Sequence, residues 1–150
     1  MKLKIAPITL VLTGLIIAVG VVVYAAIPWL LDAYIKAASV PFPQNTRNTM
    51  LTLLYFVGIP VLAMLCCGFR ISYNISKERS FIKENVKLMN IISICSASAG
   101  VMFFIVMFFL HSIFPVVIFV IFAILALFTR IFAQLFASAI AYKEENELTI

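Results

Sequence analysis

In this chain the polar positions fall between long apolar runs and hardly ever inside them. Charged residues leave three uninterrupted stretches: 27 residues at 5–31, 22 at 48–69 and 42 at 88–129. A bilayer core takes about 20 helical residues to cross. The first two stretches are therefore one span each, and the third is two. Its middle is punctuated by His111 and Ser112 ahead of Pro115, which places a turn there. Barrel strands would alternate apolar with polar residues, whereas VMFFIVMFFL at 101–110 has no polar partner at any period. The pattern predicts an all-α, polytopic membrane protein of one domain, residues 1–150. Four transmembrane helices are expected near 6–31, 49–70, 87–110 and 114–140, paired as two helical hairpins. Residues 71–86 are expected as a loop and 141–150 as a tail.

Local signals refine the ends. Pro28 and Trp29 close the first span, with Tyr24, Trp29 and Tyr34 as interfacial anchors. Ser80 suits an N-cap, so the third helix is expected to start at Phe81. The first run exceeds the apolar core of about 7–15 residues in a signal peptide and lacks a small-x-small cleavage site. It is read as a retained span.

Charge sets the orientation. Lys2, Lys4, Arg70, Lys77, Arg79, Lys83, Lys87 and Lys143 fall on one side of these spans, and Lys36 and Arg47 on the other. Basic residues collect on the cytoplasmic side. Both termini are accordingly expected inside. The net charge of +5 comes from these topology residues, so no direct nucleic-acid binding is expected.

Composition narrows the function classes. Hydrophobic residues are 65% of the chain, and charged residues are 11% against about 25% in ordinary soluble domains. A small water-soluble domain exposes too much of its surface to hide that load. A single histidine excludes a two-histidine zinc site. The spans hold no Asp or Glu between Ala33 and Ser76 or between Asn85 and Tyr142. Neither a Gly-x-Ser-x-Gly elbow nor a Walker loop occurs. The reading is a non-enzyme with no catalytic residue, metal or cofactor. Cys66, Cys67 and Cys95 are read as small hydrophobes. Arg130 is the one charge inside an apolar segment. Two explanations stay open for it: a partner within the bundle, or a side chain that snorkels to the headgroups.

The connection RISYNISKERSFIKENVK at 70–87 is basic, long for a linker, and carries Phe81, Ile82 and Val86. Within it, Phe81-Ile82-Lys83-Glu84-Asn85 resembles the Phe-x-x-Glu-Asn signature of the bacterial domain of unknown function 2975 family. The ending Glu145-Asn146-Glu147-Leu148-Thr149-Ile150 resembles that family's closing Glu-Asn-Asp-Leu-Thr-Ile/Val motif. Arg79-Ser80 stand where the family often has Gly-Pro, and Glu147 replaces the usual Asp. The resemblance implies a small four-span protein of the bacterial inner membrane, paired with a cytoplasmic helix-turn-helix regulator. The expected function is that of a non-enzymatic sensory or regulatory partner of such a regulator. An immunity protein against a membrane-active peptide, or a small transporter subunit acting as a homo-oligomer, remains an alternative. The partners expected are therefore the lipid bilayer, the regulator and further copies of this chain. Phe81, Glu84 and Asn85 are expected to form a junction with Glu145, Asn146, Leu148 and Thr149. Glu84 and Asn85 would bond the tail backbone there, while Leu148 and Ile150 bury against Phe81, Ile82 or Val86. Arg130 completes the candidate site.

Overall fold

The computed structural model describes residues 5–38, 44–110 and 113–148. Among them it has five helices and no strand: α1 (Ile5–Ala25), α2 (Ile27–Ala38), α3 (Gln44–Ser76), α4 (Lys83–Leu110) and α5 (Phe114–Leu148). Four of these, α1, α3, α4 and α5, are long and apolar enough to cross a membrane.

The helices outrun the apolar runs that mark them. The 33 residues of α3 and 35 of α5 rise about 50 Å, against about 30 Å of hydrocarbon. A helix satisfies its own backbone in lipid and in water alike, so it has no reason to stop where hydropathy does. Residues 71–76, expected as loop, are the last turns of α3, and the tail is helical as far as Leu148. The third span starts at Lys83 rather than Phe81, and Ser80 is not its N-cap. Ser80 instead offers its carbonyl to Asn85.

The first apolar run is two helices, not one. Ala26 separates α1 from α2. Pro28 has no N–H to give the Tyr24 carbonyl and cannot extend α1, but it is at home in a first helical turn. Pro115 sits the same way in α5. The expected turn at His111–Ser112 lies outside the described residues, as do Lys2 and Lys4.

The long helices pack as a row in which α1 meets α3, α3 meets α4, and α4 meets α5, with α2 resting on α3 and α1. Close approach sets each seam. Tyr24 lies across Gly58, where a Cβ would collide with its ring, and its hydroxyl donates to the Tyr55 carbonyl at 3.3 Å. Between α4 and α5, Ser93 and Ser96 donate to the carbonyls of Ala126 (2.8 Å) and Phe122 (3.0 Å). Gly100 meets Phe119 and Phe122 directly. Small residues let membrane helices approach closely, and serine hydroxyls tie them. No described residue of α1 is buried. Most of its apolar side chains are exposed, as suits a lipid surround.

Candidate functional site

Polar chemistry concentrates where α3 passes to α4. The end of α3 is closed by a Schellman motif: Glu78 N–H donates to Ile75 and Arg79 N–H to Asn74, both at 3.0 Å. Glu78 takes the left-handed conformation at φ 60°, a place usually given to glycine. The family's usual Gly-Pro would fall one and two residues later, at Arg79-Ser80, so the left-handed residue is not one of those two.

Asn85 organises the turn from inside. Its side chain is 1% exposed. Its oxygen accepts from Asn74 Nδ2 at 2.8 Å, and its amide donates to the carbonyls of Arg79 (3.1 Å) and Ser80 (2.9 Å). From the first turn of α4, Asn85 thus holds the last turn of α3 through one bond and the turn itself through two. Glu84, beside it, pairs with Arg70 at 2.9 Å. Arg70 and Lys77 both lie over the Tyr73 ring, 5.7 Å from its centroid. The hydrogen bonds and ion pair of Glu84 and Asn85 thus run to α3 and the turn, not to the described part of the tail.

The tail is reached differently. Phe81 stacks on Phe136 of α5 with centroids 5.2 Å apart, a contact of about 0.5–1.5 kcal/mol. Lys83 pairs with Glu144 at 2.8 Å. Both side chains are more than half exposed, so this pair contributes about 0–1 kcal/mol. Glu145 and Asn146 are exposed on the last turns of α5. The expected roles of Leu148, Thr149 and Ile150 concern side chains outside the described residues. Arg130 is exposed and donates to Asn90 Oδ1 on α4. It has a partner within the bundle, and that partner is a neutral amide.

The opposite end holds two features that the sequence reading missed. Asp32 of α2 and Arg47 of α3 form a two-pronged ion pair, at 2.7 and 2.9 Å. The hydrogen bond from Arg47 holds the Asp32 carboxyl below its ordinary pKa, against a desolvation effect of opposite sign. Beneath the pair lies a cavity of about 450 Å³ whose walls include Leu31, Met50, Val57, Val106 and Phe114. The opposite charges at 32 and 47 carried the only signal for the pair. The cavity had none, because it needs all five helices. Among the described residues no His, Cys, Asp and Glu group has the makings of a metal site.

Four apolar helices of spanning length, with most of the charge gathered at their two ends, define a polytopic α-helical membrane protein. The chain belongs to the family described as protein of unknown function DUF2975, whose profile matches residues 2–150. No curated protein and no solved structure matches it.

Proposed function

We propose that this is a non-enzymatic protein of the bacterial inner membrane, with two helical hairpins and both termini in the cytoplasm, that holds a cytoplasmic helix-turn-helix regulator. The division of basic residues supports the orientation. The family resemblance supports the choice of partner. The observation that carries the docking surface is the continuation of α5. Glu144 lies eight residues beyond Phe136, which stacks on the turn. This leaves about 12 Å of helix standing beyond the turn. That exposed extension, tied by Lys83–Glu144, and the basic turn together make one surface of mixed charge.

The apolar cavity at the far end gives the sensory half of the reading a place, since an apolar molecule from the outer leaflet fits such walls. The transporter alternative draws no support from the α4–α5 seam, where Ser93 and Ser96 are spent on carbonyls of α5.

The test is co-expression with the regulator and measurement of the share that sediments with membranes. Ending the chain at Tyr142 should release the regulator into the soluble fraction while the membrane protein stays at normal abundance. Equal retention by the shortened chain would overturn the proposed surface. Impermeant cysteine labelling checks the orientation: Thr149→Cys should react only in opened vesicles, and Asn45→Cys in intact cells.

A further inference from the structure

We infer that the notch between α4 and α5 at Lys87, Asn90 and Arg130 binds the phosphate of an anionic phospholipid. This goes beyond the regulator proposal and does not depend on it.

The placement starts from helix periodicity. Lys83, Lys87 and Asn90 recur at four and three residues along α4 and share a stripe. Arg130, Gln134, Ala137, Ala141 and Glu144 share a stripe on α5 by the same spacing. Two bonds join these stripes edge to edge, Asn90 with Arg130 at one end and Lys83 with Glu144 at the other. Lys87 stands between those bonds on α4, and Gln134 and Ala137 stand between them on α5. Ala137 contributes only a methyl group there, and Gln134 and Ala137 are both exposed.

Charge gives the notch its ligand. Neither Lys87 nor Arg130 is in an ion pair with another described residue. The carboxylates nearby are engaged: Glu84, three residues before Lys87, is paired with Arg70, and Glu144 is paired with Lys83. Two cations therefore stand at the notch without an ion-pair partner among the described residues.

Depth names the source of the missing anion. Arg70 ends the charge-free run of α3, so the Arg70–Glu84 pair marks the edge of the apolar layer. Asn90 lies six residues further along α4, about 9 Å inside that edge. Lys87 lies halfway. A charge anchored at that depth is expensive without a partner. The long Arg130 and Lys87 side chains reach from it toward the headgroup layer, where phospholipid phosphates are the anions present. Toward the membrane centre the same side of the seam is apolar, with Ile94 67% and Leu127 66% exposed. A phosphate held by Arg130 and Lys87 would send its acyl chains along that wall. Basic recesses between membrane helices take lipid headgroups in this way.

The experiment titrates the purified full chain in neutral detergent with phosphatidylglycerol or phosphatidylcholine in mixed micelles, following thermal unfolding. Phosphatidylglycerol should raise the midpoint saturably and phosphatidylcholine should not. Lys87→Gln and Arg130→Gln should each weaken the apparent affinity roughly fivefold. Lys77→Gln, a cation at the same end but outside the notch, should leave it unchanged. Arg130→Lys, which keeps the charge, replaces Arg130→Gln if the latter fails to fold, and should retain most of the binding. Equal weakening by Lys77→Gln would mean diffuse surface attraction and would overturn the site. An equal midpoint shift with glycerol 3-phosphate alone would make it a site for a free phosphate, and the lipid proposal would fall.

Discussion

Asn74 and Asn85, eleven residues apart, meet through a 2.8 Å side-chain hydrogen bond that is buried. It joins the last turn of α3 to the first turn of α4. Asn85 spends its remaining donors on two part-buried carbonyls of the turn, so Asn85→Ala leaves the buried Asn74 amide and those two carbonyls without their bond. Leaving a buried polar group unpaired costs about 1–3 kcal/mol. Thermal unfolding in detergent should show a loss within that range for Asn85→Ala, which removes three bonds, and a smaller one for Asn74→Ala, which removes one. In the double variant the losses should fall short of additive, because the shared bond is removed once. Additive losses would mean that the two amides act independently.

Glu78 is the place to gain stability. A residue with a Cβ in the left-handed region is disfavoured by about 1–2 kcal/mol, and glycine brings an entropic penalty of about 0.5–1 kcal/mol. Since Glu78 has φ 60°, Glu78→Gly should stabilise by roughly 0.5 kcal/mol. Glu78→Val, β-branched and disfavoured there, should destabilise. The same unfolding measurement decides both, and the opposite order would contradict the Schellman closure.

Gly58 is set by Tyr24. A Cβ at residue 58 would meet the Tyr24 ring, and overpacking of this kind costs about 1–3 kcal/mol. Gly58→Ala should lower stability and loosen α1 from α3. Adding Tyr24→Ala should return part of the loss, since it removes the obstructing ring. No recovery in the double variant would move the strain elsewhere.

Ser93 and Ser96 should each matter modestly. Hydrogen bonds between membrane helices average about 0.6 kcal/mol, so each Ser→Ala change should cost about that amount. Gly100→Leu should cost far more, because Phe119 and Phe122 already occupy the space its side chain would need. Comparing the three unfolding midpoints tests whether packing or hydrogen bonding holds α4 to α5.

The Asp32–Arg47 pair predicts an acid-dependent contact between α2 and α3. Asp32 titrates below its ordinary value because Arg47 favours the carboxylate. Its contribution is therefore fully present above about pH 4, the ordinary carboxylate range. It fades as pH falls through the lowered value. Trp29, the single tryptophan, lies three residues before Asp32 on α2 and reports on it. Its fluorescence should stay level from neutral pH to about pH 5 and change only in stronger acid. In Asp32→Asn that acid step should vanish. Its persistence would assign the change to another group.

The sequence by itself determined that the chain is helical, that four of its helices are apolar and long enough to cross a membrane, and which family it belongs to. The first two follow from composition and run length, because lipid leaves the backbone no alternative to internal hydrogen bonding. The family follows from the motifs at 81–85 and 145–150. Phe81, Glu84 and Asn85 were also legible as a unit, through the resemblance to the family's Phe-x-x-Glu-Asn signature. What Asn85 bonds was not. Its partner Asn74 carries no periodic signal, and bonds to the carbonyls of Arg79 and Ser80 exist only once the turn has formed. The helix ends at Ser76 and Ala26 differ from expectation because hydropathy records where lipid begins, not where a helix stops. The start at Lys83 rather than Phe81 differs because Ser80 lends its carbonyl to Asn85 instead of capping the helix. Tertiary structure alone decided that α1, α3, α4 and α5 stand in a row, that Arg130 meets Asn90, and that a cavity opens among all five helices. Each of these depends on which faces approach, and in an apolar chain nearly every face looks alike. The small residues Gly58, Ser93, Ser96 and Gly100 settle the matter, because only at such positions do two helix backbones come close enough to lock.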